Sequence, residues 1–221
     1  MTVIAVVFDM DGVLTDSEQA WADAREELTH ERGGVWPPGS QERMMGMSST
    51  EWSRFMRDEL RVPMAPQEIS TAVVERLGHR FRERLPLLPH AREAVGRLAH
   101  RFPLGLASSS NRPIIDLVLE LAGLAGSFRA TVSSEEVPHG KPSPDVYVEA
   151  ARRLGAEPAG CAAVEDSTNG IRSAHAAGMC VIAVPRPDYP ASAEALALAA
   201  TVLDSLAELT PRVVERAATT A

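Results

Sequence analysis

Two aspartates, Asp9 and Asp11, follow the apolar run of residues 3–8 in the opening stretch VIAVVFDMDGVLTD. Two carboxylates this close repel each other unless a cation sits between them or one keeps its proton. A carboxylate needs no base to act as a nucleophile, so Asp9 can attack an electrophile, and Asp11 is placed to trade a proton. Gly12 lets the backbone turn away sharply after the pair. Three further stretches carry polar groups of complementary chemistry: ASSSN at 107–111, GKPSPD at 140–145 and VEDSTNG at 164–170. The Ser108 and Ser109 hydroxyls, with nearby backbone N–H groups, can hold anionic oxygens. Lys141 can neutralise a phosphate or the nucleophile, and Glu165 and Asp166 add two more carboxylates. A cluster of carboxylates cannot ionise together without a cation. Oxygen ligands without cysteine or histidine favour a hard ion, and Mg²⁺ suits a site shared with a phosphate.

These residues act together only if the fold brings them to one place. The run 3–8 is short and rich in β-branched residues, which predicts a buried strand. Helical patterns follow at 17–32, with Ser17 as the expected N-cap, and at 49–60 and 66–84, while GGVWPPGS (33–40) breaks the first helix. From about residue 91 the rhythm alternates: helices at 91–101, 113–122, 144–154 and 170–177, and strands at 104–107, 129–132, 161–164, 180–184 and 200–203. Beyond Pro190 the sequence reads as a loose Ala-rich tail around that last strand. Alternating strands and helices imply a parallel sheet covered on both faces. The expected fold class is therefore α/β, a Rossmann-like parallel sheet with an all-helical insertion after its first strand. The expected domains are a core of residues 1–15 and 86–221 and a helical cap of residues 16–85. In such sheets ligands bind beyond the carboxyl ends of the strands, where all four polar stretches fall.

Composition narrows the field further. A net charge of −8 argues against non-specific nucleic-acid binding, which needs a basic surface. The apolar runs fall short of a membrane span and no signal-peptide pattern opens the chain, so a soluble, cytoplasmic protein is expected, a monomer or weak homodimer. Cys161 and Cys180 are too few for a zinc or disulfide framework and read as buried thiols. Among 22 basic residues Lys141 is the only lysine. A retained ammonium in an arginine-rich chain points to a compact point charge that a planar guanidinium would fit poorly. A calcium loop would need glycine at its sixth position, whereas here glycine is fourth in DMDG and a strand precedes it.

DMDGVLTD (9–16), LASSS (106–110), GKPSPDVY (140–147) and VEDSTNGIRSAHAAGM (164–179), in this order, resemble the haloacid dehalogenase superfamily, in the branch with a helical cap. The resemblance implies a phosphoaspartyl mechanism. Asp9 would attack phosphorus, and Asp11 would protonate the leaving alcohol and then activate water. Ser108 and Lys141 would hold the phosphoryl oxygens. Mg²⁺ would bind the Asp9 carboxylate, the Asp11 backbone carbonyl and Asp166, with Glu165 nearby or ligating. The cap would choose the substrate, a small phosphorylated metabolite, with Asp16, Ser17, Ser109, Asn111 and Gly46 among the residues expected against it. Similarity is strongest to small sugar-phosphate phosphatases such as those for 2-deoxyglucose 6-phosphate. The runner-up is a phosphomutase of the β-phosphoglucomutase kind, which carries a histidine where this chain has Trp21. A catalytically silent module that binds phosphate and Mg²⁺ is the third reading.

Overall fold

The computed structural model describes residues 2–220. Six strands form one parallel sheet: β1 (Ala5–Phe8), β2 (Leu104–Ser108), β3 (Phe128–Ser133), β4 (Cys161–Glu165), β5 (Cys180–Ala183) and β6 (Thr201–Val202). Their spatial order is β3-β2-β1-β4-β5-β6. β1 is central, with Phe8 paired to Leu106 on one side and to Val164 on the other. The order reverses at β1, so a crevice opens beyond its carboxyl end.

Among the described residues ten α-helices surround and extend the sheet: α1 (Glu18–Glu31), α2 (Ser40–Met44), α3 (Ser49–Asp58), α4 (Pro66–Glu83), α5 (Ala91–Ala99), α6 (Arg112–Leu121), α7 (Asp145–Leu154), α8 (Thr168–Ala176), α9 (Ala193–Leu196) and α10 (Pro211–Thr220). The first four lie between β1 and β2 in the chain. Strand residues alternate between two apolar clusters. Val6, Phe8, Leu106, Val164 and Ile182 join one that continues into α1, α3 and α4, and Ala5, Val7, Ala163 and Val181 join the other, against α7 and α8. Burial on both faces explains why the strands read as unbroken apolar runs.

Three local expectations are corrected. Ser17 sits at the N-cap of α1 but makes no side-chain cap; its hydroxyl donates to Asp11 instead. The Pro-rich break ends at Ser40, where the short helix α2, not expected from the sequence, begins and buries Met44. The tail is ordered: Ser192 caps α9, and α10 begins at Pro211 and buries Val214, Ala217 and Ala218. Proline suits the first turn of a helix because that N–H needs no intrahelical acceptor. Among the described residues no helix is long and apolar enough to cross a membrane.

Candidate active site

The four polar stretches meet at the carboxyl edge of the sheet. Asp9 follows β1 directly, and its N–H donates to Val164 O at 3.0 Å, which carries the strand pairing one residue past its end. Met10 O then accepts from the N–H groups of Val13, Leu14 and Thr15 in a tight turn. Gly12 sits in that turn at φ +86°, and a Cβ there would lie 1.9 Å from Asp166 Oδ2. Only glycine combines this backbone with so close an approach.

Lys141 is the hub. Its ammonium donates to Asp9 Oδ1 and to Glu165 Oε1, each at 2.6 Å, and lies 3.4 Å from the Tyr147 hydroxyl. All are buried. Burial alone would lower the Lys141 ammonium, but the Asp9 and Glu165 carboxylates outweigh it and raise its pKa. Glu165 is saturated. Oε1 accepts from Lys141 and from the Tyr147 hydroxyl at 2.8 Å, and Oε2 accepts from Asp166 N, Ser167 N and Ser167 Oγ. The Ser167 hydroxyl also accepts from Gly170 N and so caps α8.

Asp9, Glu165 and Asp166 can each offer one carboxylate oxygen within 4.8 Å of the others. Three buried carboxylates beside one ammonium leave two negative charges unmatched. Burial pushes Asp9 up to about 8 against the pull of Lys141, with Glu165 and Asp11 adding to the rise. Asp166 is raised well above the usual range by burial, then by Glu165 and Asp9. Asp166 Oδ1 is buried without a hydrogen-bond partner. An all-oxygen set with two surplus charges and an orphaned carboxylate oxygen fits a hard divalent cation.

Asp11 faces elsewhere. Its Oδ1 accepts from Ser17 Oγ and from Trp21 Nε1 at 3.4 Å, and its Oδ2 from Ser110 Oγ at 2.6 Å and Ser108 Oγ at 3.5 Å. The Asp11 carboxylate is thus held between the sheet edge and α1, outside the cation cluster. Ser108 is fully buried at the end of β2, where its oxygen also accepts from Ser110 N at 3.0 Å. A cavity of about 460 Å³ opens over these groups, lined by Asp9, Asp11, Lys141 and Asp166 on the core side and by Trp21 and Met44–Met47 on the other.

The profile of the haloacid dehalogenase-like hydrolases matches residues 4–178, most of the chain. The chain belongs to that family. Hexitol phosphatase B of Escherichia coli K12 is 36% identical over 216 residues, 95% of this chain and 96% of that protein. The phosphorylated carbohydrates phosphatase of Thermotoga maritima is 30% identical over 177 residues, 79% of this chain and 82% of that protein. Among solved structures, CbbY from Rhodobacter sphaeroides in complex with phosphate superposes with a TM-score of 0.85 at 26% identity, covering 96% of this chain and 99% of that one.

Within this haloacid dehalogenase-like hydrolase the remaining expected residues take varied places. Gly46 and Ser109 line the cavity, and the Ser109 hydroxyl lies 3.5 Å from Gly46 O, joining the core to the inserted helices. Asp16 does not line the cavity; its carboxylate accepts at 2.9 Å from Arg186, which does. Asn111 does not line the cavity. Its amide donates to Ser70 Oγ on α4 and to Glu135 Oε1, which also accepts from Ser49 on α3. It ties the two layers together. The sequence reading did not single out Tyr147, Ser110, Glu18 or Arg25. A tyrosine six residues after the only lysine, inside GKPSPDVY, was the available signal for the first.

Gly170 supplies the first prediction. A Cβ at Gly170 would lie 1.8 Å from Glu165 Oε1. In an ordinary helix Gly→Ala stabilises by about 1 kcal/mol. Here Gly170→Ala is expected to destabilise by about 1–3 kcal/mol, because overpacking must displace Glu165 and with it the Lys141 ammonium. Urea denaturation reads the sign directly; a stabilised variant would contradict the packing.

Proposed function

We propose that this chain is a Mg²⁺-dependent phosphatase of a small phosphorylated metabolite, a sugar or polyol monophosphate, acting through an aspartyl-phosphate on Asp9. The observation that carries the reading is the buried Asp9–Lys141–Glu165 triad beside the unpartnered Asp166 oxygen. The core of residues 1–15 and 86–221 supplies the chemistry, and residues 16–85 form a cap that closes the cavity.

Asp9 and Asp166 would hold the cation, together with the Asp11 backbone carbonyl. Glu165 has its oxygens engaged and is better suited to fixing Lys141 and the start of α8 than to ligating. The cation, when bound, would supply positive charge to the phosphoryl oxygens and the nucleophile. Asp9 attacks phosphorus in line, and the ester P–O bond breaks as the Asp9–phosphorus bond forms. Lys141 and the Ser108–Ser110 turn stabilise charge on the transferring group. Asp11 delivers its proton to the departing alkoxide, then takes one from the water that attacks the aspartyl-phosphate, returning Asp9 and releasing inorganic phosphate. The donors from Ser17 and Trp21 orient the Asp11 carboxylate from the cap side.

The test is release of inorganic phosphate from p-nitrophenyl phosphate and from sugar monophosphates with Mg²⁺. Turnover that begins only on addition of a sugar bisphosphate would favour the phosphomutase reading instead. Phosphate and Mg²⁺ binding without turnover would favour the silent module.

A pH dependence follows from the surplus charge. Asp9 and Asp166 carry raised folded-state pKa values, so without a cation the native state binds more protons than the unfolded chain from about pH 4 to about pH 8. Stability of the metal-free protein is therefore expected to fall as pH rises through that window. Saturating Mg²⁺ should raise the thermal midpoint more at pH 8 than at pH 5.5. An equal gain at both pH values would show that these carboxylates do not face the ion.

A further inference from the structure

Beneath Lys141 sits a buried titratable group that the proposed chemistry does not use. Tyr147, in the first turn of α7, is fully buried and does not line the cavity. It belongs to the apolar cluster that holds Val7, Ala107, Val132 and Ala163. A phenylalanine would suit that cluster, so the hydroxyl needs an explanation of its own. It donates to Glu165 Oε1 at 2.8 Å. Glu165 is not short of donors, because it also accepts from Lys141, two backbone N–H groups and the Ser167 hydroxyl. The consequence of the hydroxyl falls on Lys141 instead. An ammonium has three N–H groups. Two are committed to Asp9 Oδ1 and Glu165 Oε1 at 2.6 Å each. The third reaches Tyr147 Oη at 3.4 Å, longer than an ordinary N–H···O bond. The tyrosine ring centroid lies 5.0 Å from Nζ, within the distance at which an aromatic face attracts a cation.

We propose that Tyr147 is a positioning residue for Lys141, holding the ammonium in place with one N–H in reserve for the transferring phosphoryl group. The proposal rests on the phosphatase reading above and deepens it. The hydroxyl acts in both of its capacities. As a donor to Oε1, it shares that oxygen with Lys141 and takes up part of its charge, so Glu165 does not draw the ammonium away from Asp9. As a weak acceptor, it occupies the third N–H in the resting site. A phosphoryl oxygen that claims this N–H displaces only a long bond, and the two short ones stay in place. Lys141 lines the cavity, so the released N–H has a path to the phosphoryl group. Tyr147 lies behind it and acts only through it. The benefit is greatest in the transition state, where the charge to be met is that on the transferring oxygens.

The experiment measures turnover of p-nitrophenyl phosphate with Mg²⁺ in the wild type, Tyr147→Phe, Lys141→Met and the double variant. Calorimetric binding of orthovanadate and of inorganic phosphate accompanies it. Removing a donor aimed directly at developing charge lowers kcat about 10²–10³-fold, so a group acting through that donor is expected to matter about tenfold. Tyr147→Phe keeps the ring and loses the hydroxyl. It should lower kcat and kcat/KM alike, by about tenfold, with KM changed less than about twofold. Orthovanadate adopts the five-coordinate shape of the transferring group; Tyr147→Phe should weaken its binding about tenfold and that of phosphate less than about twofold. In the Lys141→Met background, adding Tyr147→Phe should change kcat less than about twofold, because the residue through which it acts is gone. A merely structural tyrosine gives another pattern: a lower thermal midpoint with kcat and vanadate affinity retained, or the same factor in both backgrounds. Either result overturns the proposal. If Lys141→Met fails to fold, the vanadate-to-phosphate comparison in Tyr147→Phe decides alone. If the wild type leaves p-nitrophenyl phosphate intact, the phosphatase reading itself has failed. Vanadate binding needs no turnover and still judges Tyr147: an affinity unchanged in Tyr147→Phe, or a wild type that binds no vanadate, overturns the positioning role.

Discussion

Asp9→Asn is expected to lower kcat/KM by about 10⁴-fold or more, the scale on which loss of a covalent nucleophile acts. The amide keeps the size of the side chain and can still accept from Lys141, so the contact at 2.6 Å has a neutral substitute. What disappears is the anionic carboxylate oxygen that would bond to phosphorus; a neutral amide oxygen is too weak a nucleophile to replace it. The same change removes one of the three buried carboxylates around a single ammonium. The variant should therefore fold at least as well as the wild type without a cation, and should gain less from Mg²⁺. Loss of turnover together with a retained or raised metal-free thermal midpoint is the pattern that a nucleophile in an overcharged cluster produces. Substantial residual turnover would show that another group attacks.

Lys141→Met is expected to be damaging in both respects. It leaves Asp9 and Glu165 buried without their shared ammonium, and Tyr147 with a crowded carboxylate beside it. Breaking a buried ion pair by removing one partner costs about 3–5 kcal/mol. Activity should fall by about 10³-fold, since a charged group aimed at the transferring phosphoryl is lost. Lys141→Arg should not rescue it. The ammonium contacts oxygens on two sides within a fully enclosed site, and a planar guanidinium is larger and needs a different geometry. Chemical denaturation and phosphate release, measured side by side, check both halves. Wild-type activity in the arginine variant would remove the case for a point charge.

Much of this site was legible in the sequence because its residues break local patterns. A carboxylate ending a buried apolar run, as at Asp9 and Glu165, has no explanation within the strand, so it announces chemistry. The single lysine did the same by composition. The sheet was legible because strands buried on both faces read as continuous apolar runs, and β1, β2, β4 and β5 fall within a residue or two of the expected spans. The missed features are those fixed by contacts between distant segments. Ser17 was read as a helix cap from local preference, but Asp11 competes for its hydroxyl and wins. Asn111 sits in a promising polar stretch, yet Ser70 and Glu135 claim its amide. Nothing local in the sequence marks Arg25, which is buried against Trp21 and Trp52. The amphipathic pattern of α10 was short and Ala-rich, so its register emerged only from the face it packs against.

The enclosure of Lys141 gives the protein an unusual chemical signature. As the chain's only lysine, it is the single side-chain amine that an acylating reagent could label, and in this structure it is buried and doubly ion-paired. A charged ammonium without a free lone pair is a poor nucleophile, so acylation should proceed only when the site opens and its carboxylates release the proton-bearing nitrogen. Labelling at that one position, read by mass spectrometry after proteolysis, would therefore work as a built-in clock for opening of the site, with no engineered reporter.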